Sequence, residues 1–208
     1  MATLMHDTMP NQPNIADLFQ LASGQHGYFT ATQAHQSGVS NDLVKHHVRS
    51  GKFLPAYRGV YRFRDYPSTV REEVTAAWLA IGKDDAVVSH ESALDLLDLT
   101  DIIPYGIHLT VPRKRRYARR IPGIILHTTG RVFTSADLQT VNGVKVTSVT
   151  RTIVDVAEAG QSPEHVQAAV AQALDRGLIS AQRLRATAAT MSRRVQRMIE
   201  LALEGAAQ

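Results

Sequence analysis

The chain has 208 residues, of which 44% are hydrophobic, so it can bury the core of one large or two small domains. Its net charge of +4 and pI of about 9.6 describe a mildly basic protein rather than a polycation. The absence of cysteine excludes disulfides, thiol catalysis and cysteine-based zinc sites, and it fits a reducing cytosol. No apolar run reaches the roughly 18 residues of a membrane span, so we expect a cytoplasmic protein.

The N-terminal segment divides into a lead-in and a helix. Residues 1–13 have neither the apolar core nor the basic start of a secretory signal, and we expect them to form a disordered lead-in. Positions 15, 18, 19 and 22 are apolar, which is the spacing of one helix face.

Residues 30–50 have the spacing of a helix-turn-helix. If Thr30 is the first position, Ala34 is the fifth, Gly38 the ninth and Val44 the fifteenth. The fifth residue must be small because the second helix packs over it, and glycine at the ninth permits the positive φ of a tight turn. The fifteenth residue anchors the second helix from beneath, and the first is placed to cap the first helix.

The second helix of this motif, Asn41–Ser50, has two distinct faces at 100° per residue. Ser40 is placed to cap its start and Gly51 to end it. The apolar face holds Leu43, Val44, His47 and Val48, and the polar face holds Asp42, Lys45, His46 and Arg49. The polar face could enter a DNA major groove. Alternatively, the two helices form an ordinary amphipathic pair whose basic residues are merely solvated.

A segment rich in aromatic and β-branched residues follows, over residues 52–64. Gly59 near its middle indicates a hairpin, and Pro55 restricts the first strand to an edge. A hairpin directly after a recognition helix is a wing, and its basic tip, Arg58 with Arg62, would lie against a phosphate backbone or in a minor groove. We expect DNA contacts from Thr30, Ser40, Asn41, Lys45, His46, Arg49, Lys52, Arg58 and Arg62.

The distribution of charge indicates two domains. Residues 69–100 have a net charge of −5, between residues 1–68 with +2 and residues 101–150 with +6. Pro67 disfavours helix at the residue before it, so we place the boundary there. The sequence therefore predicts a winged helix-turn-helix DNA-binding domain over 14–66 and a second domain over 69–208.

The pattern of the second domain is mixed α/β. Strands are predicted at 86–88, 107–111, 124–127 and 144–149, and helices at 70–81, 89–99, 151–159, 163–173 and 180–204. The expected fold class is thus mixed α/β (α+β): an N-terminal winged helix-turn-helix followed by a mixed α/β C-terminal domain with a helical C-terminus.

A second basic patch lies between two of these strands. It contains six basic residues in eight, namely Arg113, Lys114, Arg115, Arg116, Arg119 and Arg120. Such a run could contact DNA phosphates beside the wing or bind an acidic partner. It could equally be the solvated tip of a hairpin.

Enzymatic motifs are not evident in the sequence. His90-Glu91 begins a predicted helix, and no second histidine or carboxylate follows at ligand spacing, so we interpret it as a capped helix start. Arg151 and Asp155 are four residues apart and are expected to pair on a helix surface. We find no P-loop, dinucleotide fingerprint or nucleophile elbow, and we expect no catalysis, metal or cofactor.

Several segments together resemble the AbiEi-type antitoxins found in mycobacteria and other actinobacteria. The N-terminal part of the resemblance rests on Thr30–Ala34, Gly38–Ser40 and Arg58–Arg62. The C-terminal part rests on Ile107–Pro112, the basic patch and Val146–Asp155. The resemblance implies a bacterial antitoxin encoded beside a nucleotidyltransferase toxin. It also implies a repressor that autoregulates its operon by binding double-stranded DNA at an inverted repeat, with toxin neutralisation associated with the second domain.

Two other classes of protein stay open from the residues alone. One is a stand-alone winged-helix transcriptional regulator whose second domain senses a small ligand. The other is a nucleic-acid enzyme whose catalytic groups have no recognisable motif. A nucleotidyltransferase gene next door would favour the toxin–antitoxin interpretation over both.

Overall fold

The computed structural model describes residues 14–116 and 120–206. The lead-in expected at 1–13 therefore lies outside the described residues, as does Arg119 of the basic patch. The chain divides into two compact units, Met1–Ala80 and Ile81–Gln208, and each is described by itself. Both helices and strands are present in each unit, so the mixed α/β class is confirmed.

The first unit is a winged helix. Its elements are α1 (Ile15–Ser23), β1 (Tyr28–Thr30), α2 (Ala31–Gln36), α3 (Asn41–Arg49), β2 (Phe53–Tyr57), β3 (Val60–Phe63) and α4 (Glu72–Ile81), whose last residue lies at the boundary of the units. The strands form an antiparallel sheet in the order β1-β3-β2. The sequence did not indicate β1, which pairs Tyr28 with Arg62 and covers the outer edge of the wing hairpin.

The core of this unit lies between the sheet and the three N-terminal helices. Phe29, Phe53 and Phe63 are buried and pack their rings together at centroid distances of 4.9–5.2 Å. Leu18 of α1 and Val44 of α3 are buried in the same cluster. Burial of these side chains fixes the positions of the helices against the wing.

The boundary between the two units lies at the end of α4 and not at Pro67, where the sequence analysis placed it. Val70, the first residue of the helix predicted over 70–81, is 86% exposed, and the helix starts only at Glu72. Glu72 accepts hydrogen bonds from Thr69 N and from Arg62, at 2.8 and 3.1 Å. These bonds tie the start of α4 to the wing, so most of the helix belongs to the first unit.

The second unit is a mixed sheet with helices. Its elements are β4 (Val87–Val88), α5 (His90–Leu96), β5 (Ile107–Pro112), β6 (Ile124–Thr129), β7 (Leu138–Val141), β8 (Val144–Thr147), α6 (Val149–Ala159), α7 (Pro163–Asp175), α8 (Ala181–Ala188) and α9 (Arg193–Ala206). The strand order is β6-β5-β4-β8-β7. Parallel pairs are β5 with β6 and β4 with β8, and the remaining pairs are antiparallel.

The C-terminal half of this unit is helical, as predicted, but its last segment is divided. The single helix predicted at 180–204 is two helices, α8 and α9, because the chain turns between Ala189 and Ser192. Ser192 starts the new helix by accepting a hydrogen bond from Gln196 N at 3.0 Å. Buried apolar residues of α5 to α9 form one cluster, which includes Ile153, Val170, Leu184 and Ile199.

No helix in the described ranges is long and apolar enough to cross a bilayer.

Candidate nucleic-acid interface

The turn between α2 and α3 is built as the spacing predicts. Thr30 Oγ1 accepts from Gln33 N at 3.1 Å while Gln33 Oε1 accepts from Thr30 N at 2.8 Å, a reciprocal cap for α2. Ala34 is fully buried, and Gly38 has a φ of 75°, which a residue with a side chain rarely adopts. The helix-turn-helix geometry therefore follows from these residues.

Helix α3 buries one face and exposes the other. Ser40 Oγ accepts from Leu43 N at 3.2 Å and caps the helix, and Val44 is 3% exposed. The opposite face is solvent-exposed and consists of Asn41, Asp42, Lys45, His46 and Arg49. Lys45 Nζ lies 3.1 Å from Asp42 Oδ1, but both side chains are mostly exposed, at 65% and 93%, so this pair contributes little and Lys45 can bind another anion.

The two histidines of α3 have different surroundings. The ring of His47 packs on Phe53 at 4.8 Å between centroids. Burial, and then the charges of Lys52 and His46, lower the pKa of His47. His46 is exposed on the polar face. The arrangement places His47 in the support of the helix and His46 on its binding face.

The wing is attached to the helix-turn-helix at its tip. Arg58 and Gly59 form the turn between β2 and β3, and Gly59 O accepts from Ala31 N at 2.9 Å. This bond joins the wing to the first residue of α2, next to Thr30. Arg58 is exposed at the turn, where it can contact a phosphate, and Lys52 is exposed directly before β2.

Arg62 is not part of the exposed wing, so the prediction of a DNA contact there is wrong. The residue is only 6% exposed. Its Nη2 donates to Tyr66 O at 2.9 Å and to Glu72 Oε2 at 3.1 Å, and its guanidinium lies near the ring of Tyr28. Strand β1 and the start of α4 enclose this side chain, and the sequence pattern indicated neither neighbour.

Arg64 is a basic residue that the sequence analysis did not include. It is exposed just after β3, and its Nε donates to Gly51 O at the end of α3. The side chain therefore lies beside the recognition helix, with further N–H groups to donate. The sequence places Arg64 at the end of the second wing strand. Because strand β1, which pairs with this strand, was not predicted, the sequence did not show which side of the wing Arg64 would face.

The second basic patch connects two parallel strands. Because β5 and β6 are parallel, with Ile107 opposite Ile124, the segment between them is a crossover and the hairpin-tip interpretation is wrong. Arg113–Arg115 form a single 3₁₀ turn. Arg115 Nη2 donates to Ile81 O at 3.0 Å and its Nε lies 3.6 Å from Asp85, so Arg115 has a structural role.

The basic side chains of the patch that the structure describes are all exposed, including Arg115. The others are Arg113, Lys114, Arg116 and Arg120. Lys114 Nζ lies 3.8 Å from Asp85 Oδ1, and together with Arg113 it borders a cavity of about 500 Å³. A role for this patch in DNA binding stays a prediction.

A histidine cluster also lies in the second unit, although the sequence gave His90 no partner. Nδ1 of His108, on β5, lies 2.7 Å from Glu91 Oε2 and 3.0 Å from His127 Nε2. The ring of His90 stacks on that of His127 at 3.5 Å between centroids. The expected capped helix start is incomplete, because Ser89 Oγ bonds Thr110 Oγ1 and His90 Nδ1 instead of the helix backbone.

Burial shapes the protonation of this cluster. Burial, with the charge of His127, lowers the pKa of His90 to about 3 despite the nearby Glu91. Burial raises the pKa of Glu91, but its hydrogen bond with His108 outweighs this effect and the pKa falls to about 2. No cluster in the described residues has an arrangement that could hold a metal ion.

The Arg151–Asp155 pair is buried, so its predicted location on a helix surface is wrong. Arg151 Nε donates to Asp155 Oδ1 at 2.6 Å, and the side chains are 10% and 4% exposed. Burial raises the pKa of Asp155 to about 6 although the charge of Arg151 acts to lower it. The two residues border a cavity of about 240 Å³ together with His90 and His127.

Comparison with known proteins places the first unit in a family context. Residues 16–64 match the family model described as "Transcriptional regulator, AbiEi antitoxin". This segment contains α1, the helix-turn-helix and the wing. No curated protein sequence matches the chain significantly.

A solved structure is similar over nearly the whole chain. The crystal structure of the RV2827C protein from Mycobacterium tuberculosis has a TM-score of 0.56 and 15% sequence identity, and the match covers 97% of this chain and 81% of that chain. At this identity the likeness shows the fold alone. Over residues 16–64, the family-model match confirms the resemblance to the AbiEi antitoxins.

Proposed function

We propose that the protein is an antitoxin that binds the DNA of its own operon through α3 and the wing. The family match of residues 16–64 supports a role as an AbiEi-type antitoxin and transcriptional regulator. The observation that carries the DNA-binding proposal is the exposed polar face of α3, with Lys45, His46 and Arg49, opposite a face that is packed on the wing. An amphipathic helix held this way presents its outer face to a major groove.

The proposed contacts divide into base-reading and phosphate-binding groups. Asn41, Lys45 and Arg49 are the base-reading candidates because their side chains can donate to or accept from base edges in the major groove. Thr30, Ser40, His46, Lys52, Arg58 and Arg64 surround them and are the phosphate-binding candidates. The hydroxyl oxygens of Thr30 and Ser40 accept the helix-cap hydrogen bonds, and their O–H groups can still donate to a phosphate oxygen.

The operator is proposed to be an inverted repeat, and the regulation negative. Two copies of a winged helix on one face of DNA read half-sites separated by about one helical turn. A repressor encoded with its partner toxin then limits its own synthesis. Neutralisation of a nucleotidyltransferase toxin is assigned in this proposal to the second unit.

The test separates repression from protection in the same cells. The protein is co-expressed with the neighbouring toxin gene, and a reporter carries the upstream region of the operon. Lys45→Ala/Arg49→Ala should release the reporter while growth stays protected. The matched control Arg193→Ala/Arg197→Ala removes two exposed cations from α9 and should leave repression intact.

Two results would count against this proposal. Full repression by Lys45→Ala/Arg49→Ala would show that α3 does not contact the operator. Equal growth of toxin-expressing cells with and without the protein would show that the protein is not an antitoxin.

A further inference from the structure

A pocket in the second unit carries features of an anion site. It has a volume of about 260 Å³ and lies between the start of α6, the segment before β7, and helix α8. We call it the arginine pocket, and its lining includes Arg131, Thr134, Asp137, Ser148, Arg151 and Arg183. None of these residues belongs to the proposed DNA interface.

Arg151 provides a buried cation with an unused donor. The residue is 8% exposed, and its Nε is engaged by Asp155. In the described ranges its buried Nη1 makes no hydrogen bond, and it lies 3.8 Å from Asp137 Oδ1. A buried guanidinium N–H without an acceptor is costly, and an anion in the pocket would supply the acceptor.

The start of helix α6 provides a second source of donors on the same wall. Ser148 is the N-cap residue, but its side chain makes no cap hydrogen bond. Its Oγ is buried and has no hydrogen-bond partner in the part of the chain that the structure describes. The first N–H groups of a helix lack partners within it and carry partial positive charge. Arg151 is the third residue of the same helix, so these donors and its guanidinium lie next to each other.

The charge balance of the lining favours an anion. Three arginines, Arg131, Arg151 and Arg183, face one carboxylate, Asp137. Asp137 is already used locally, because its Oδ2 accepts from Thr134 N at 2.8 Å and from Thr134 Oγ1 at 2.7 Å. Burial raises the pKa of Asp137, but these bonds and the charge of Arg151 outweigh it and the pKa is lowered. The carboxylate therefore stays charged, and the pocket stays net positive.

We propose that the arginine pocket binds the phosphate group of a small molecule. Guanidinium groups bind phosphate with paired N–H donors, and helix starts and hydroxyl groups complete such sites. The volume is below the roughly 300–1,000 Å³ of pockets for drug-sized ligands, which suits inorganic phosphate or a phosphate monoester. This inference goes beyond the proposed function and does not depend on it, because the pocket shares no residue with the proposed DNA interface and phosphate binding requires no toxin.

The experiment measures binding to the full chain by calorimetry, at low chloride, with inorganic phosphate and adenosine monophosphate as separate probes. Wild-type protein should bind at least one probe with a one-to-one stoichiometry and a Kd below about 1 mM. Arg131→Ala/Arg183→Ala removes the two exposed arginines and should weaken binding by about tenfold or more. Ser148→Ala should weaken it to a smaller extent. These positions avoid Arg151, whose loss would damage the fold.

The control variant is Arg185→Ala/Arg193→Ala, which removes two exposed cations outside the pocket. It should bind the probes like the wild type. Equal affinity for the two probes would identify free phosphate as the ligand, and tighter binding of the monophosphate would identify a phosphate ester; either result supports the site.

Three outcomes would overturn the proposal. The first is no saturable binding of either probe by the wild type, and the second is unchanged affinity in Arg131→Ala/Arg183→Ala. The third is displacement of the bound probe by a short DNA duplex of unrelated sequence, which would assign the pocket to a DNA backbone instead.

Discussion

Arg62 Nη2 and Glu72 Oε2 lie 3.1 Å apart, with side chains that are 8% and 16% exposed. This ion pair joins the second strand of the wing to the start of α4. It explains why a basic residue in the wing sequence does not face DNA, and why the first compact unit extends beyond the wing. Arg62 therefore stabilises the wing, whereas the exposed Arg58 at its turn can contact DNA.

The first prediction compares two arginines of the wing. Arg62→Ala leaves Glu72 buried without its partner, and removal of one member of a buried pair costs about 3–5 kcal/mol of unfolding free energy. Arg58→Ala changes an exposed side chain and should alter stability by less than about 0.5 kcal/mol while weakening DNA binding. Urea denaturation followed by circular dichroism checks the stabilities. Equal stability of the two variants would show that the Arg62–Glu72 pair does not support the fold.

The second prediction concerns the pH dependence of stability. The pKa of His90 is lowered from an ordinary 6.5 to about 3, so the unfolded chain binds a proton on this residue at pH values where the folded protein does not. The contribution of neutral His90 to the free energy of unfolding is fully present above pH 6.5. It is lost as the pH falls towards 3. The loss over this window is on the order of a few kcal/mol.

The substitution His90→Asn isolates this effect. His90 has a φ of 53°, and asparagine tolerates that conformation better than most residues. The variant should be less stable at neutral pH, because the stacking on His127 is lost, but its stability should fall less steeply between pH 6.5 and 4. Asp155, whose pKa is raised to about 6, acts in the opposite direction in both proteins. His35→Asn, at an exposed site, is the control, and a His90→Asn slope like that of the wild type would contradict the prediction.

The third prediction concerns the second basic patch and uses the dependence of DNA affinity on salt. If Arg113 and Arg120 each neutralise a phosphate, Arg113→Ala/Arg120→Ala should flatten the slope of log K against log salt by about 0.9 for each contact. The flattening should be the same on any DNA sequence. Arg115→Ala should instead lower stability, because Arg115 holds Ile81 O and Asp85. An unaltered slope in the double variant would show that Arg113 and Arg120 do not contact DNA phosphates. The patch would then bind an acidic protein partner or have no binding role.

The winged helix could be predicted from the sequence because its constraints are local. Gly38 marks a turn, and Thr30 and Ser40 mark helix starts. The helical spacing of apolar and polar residues in α3 distinguishes its two faces within a few residues. Similar local signals identify Asn142 and Gly143, which both have positive φ in the β7–β8 turn. The strand β7 before this turn was missed because it is short and only partly buried.

The buried polar groups could not be predicted because their partners come from distant parts of the chain. The sequence places His90 at a helix start, and only the sheet brings it to His127 on β6. Arg151 and Asp155 have the spacing of a surface pair, and only packing of the helices buries them. Periodicity shows which face of an element is apolar but not which polar residues a neighbouring element will cover.

Reading of operator bases by α3 is tested most directly by the specificity of DNA binding. Fluorescence anisotropy at a fixed salt concentration gives the Kd for the upstream DNA and for a scrambled duplex of equal length. Each lost base contact costs about 1–3 kcal/mol of discrimination, so Lys45→Ala/Arg49→Ala should bring the two Kd values close together, whereas Arg193→Ala/Arg197→Ala should preserve their ratio. A wild-type ratio near one, or an unchanged ratio in Lys45→Ala/Arg49→Ala, would contradict the account.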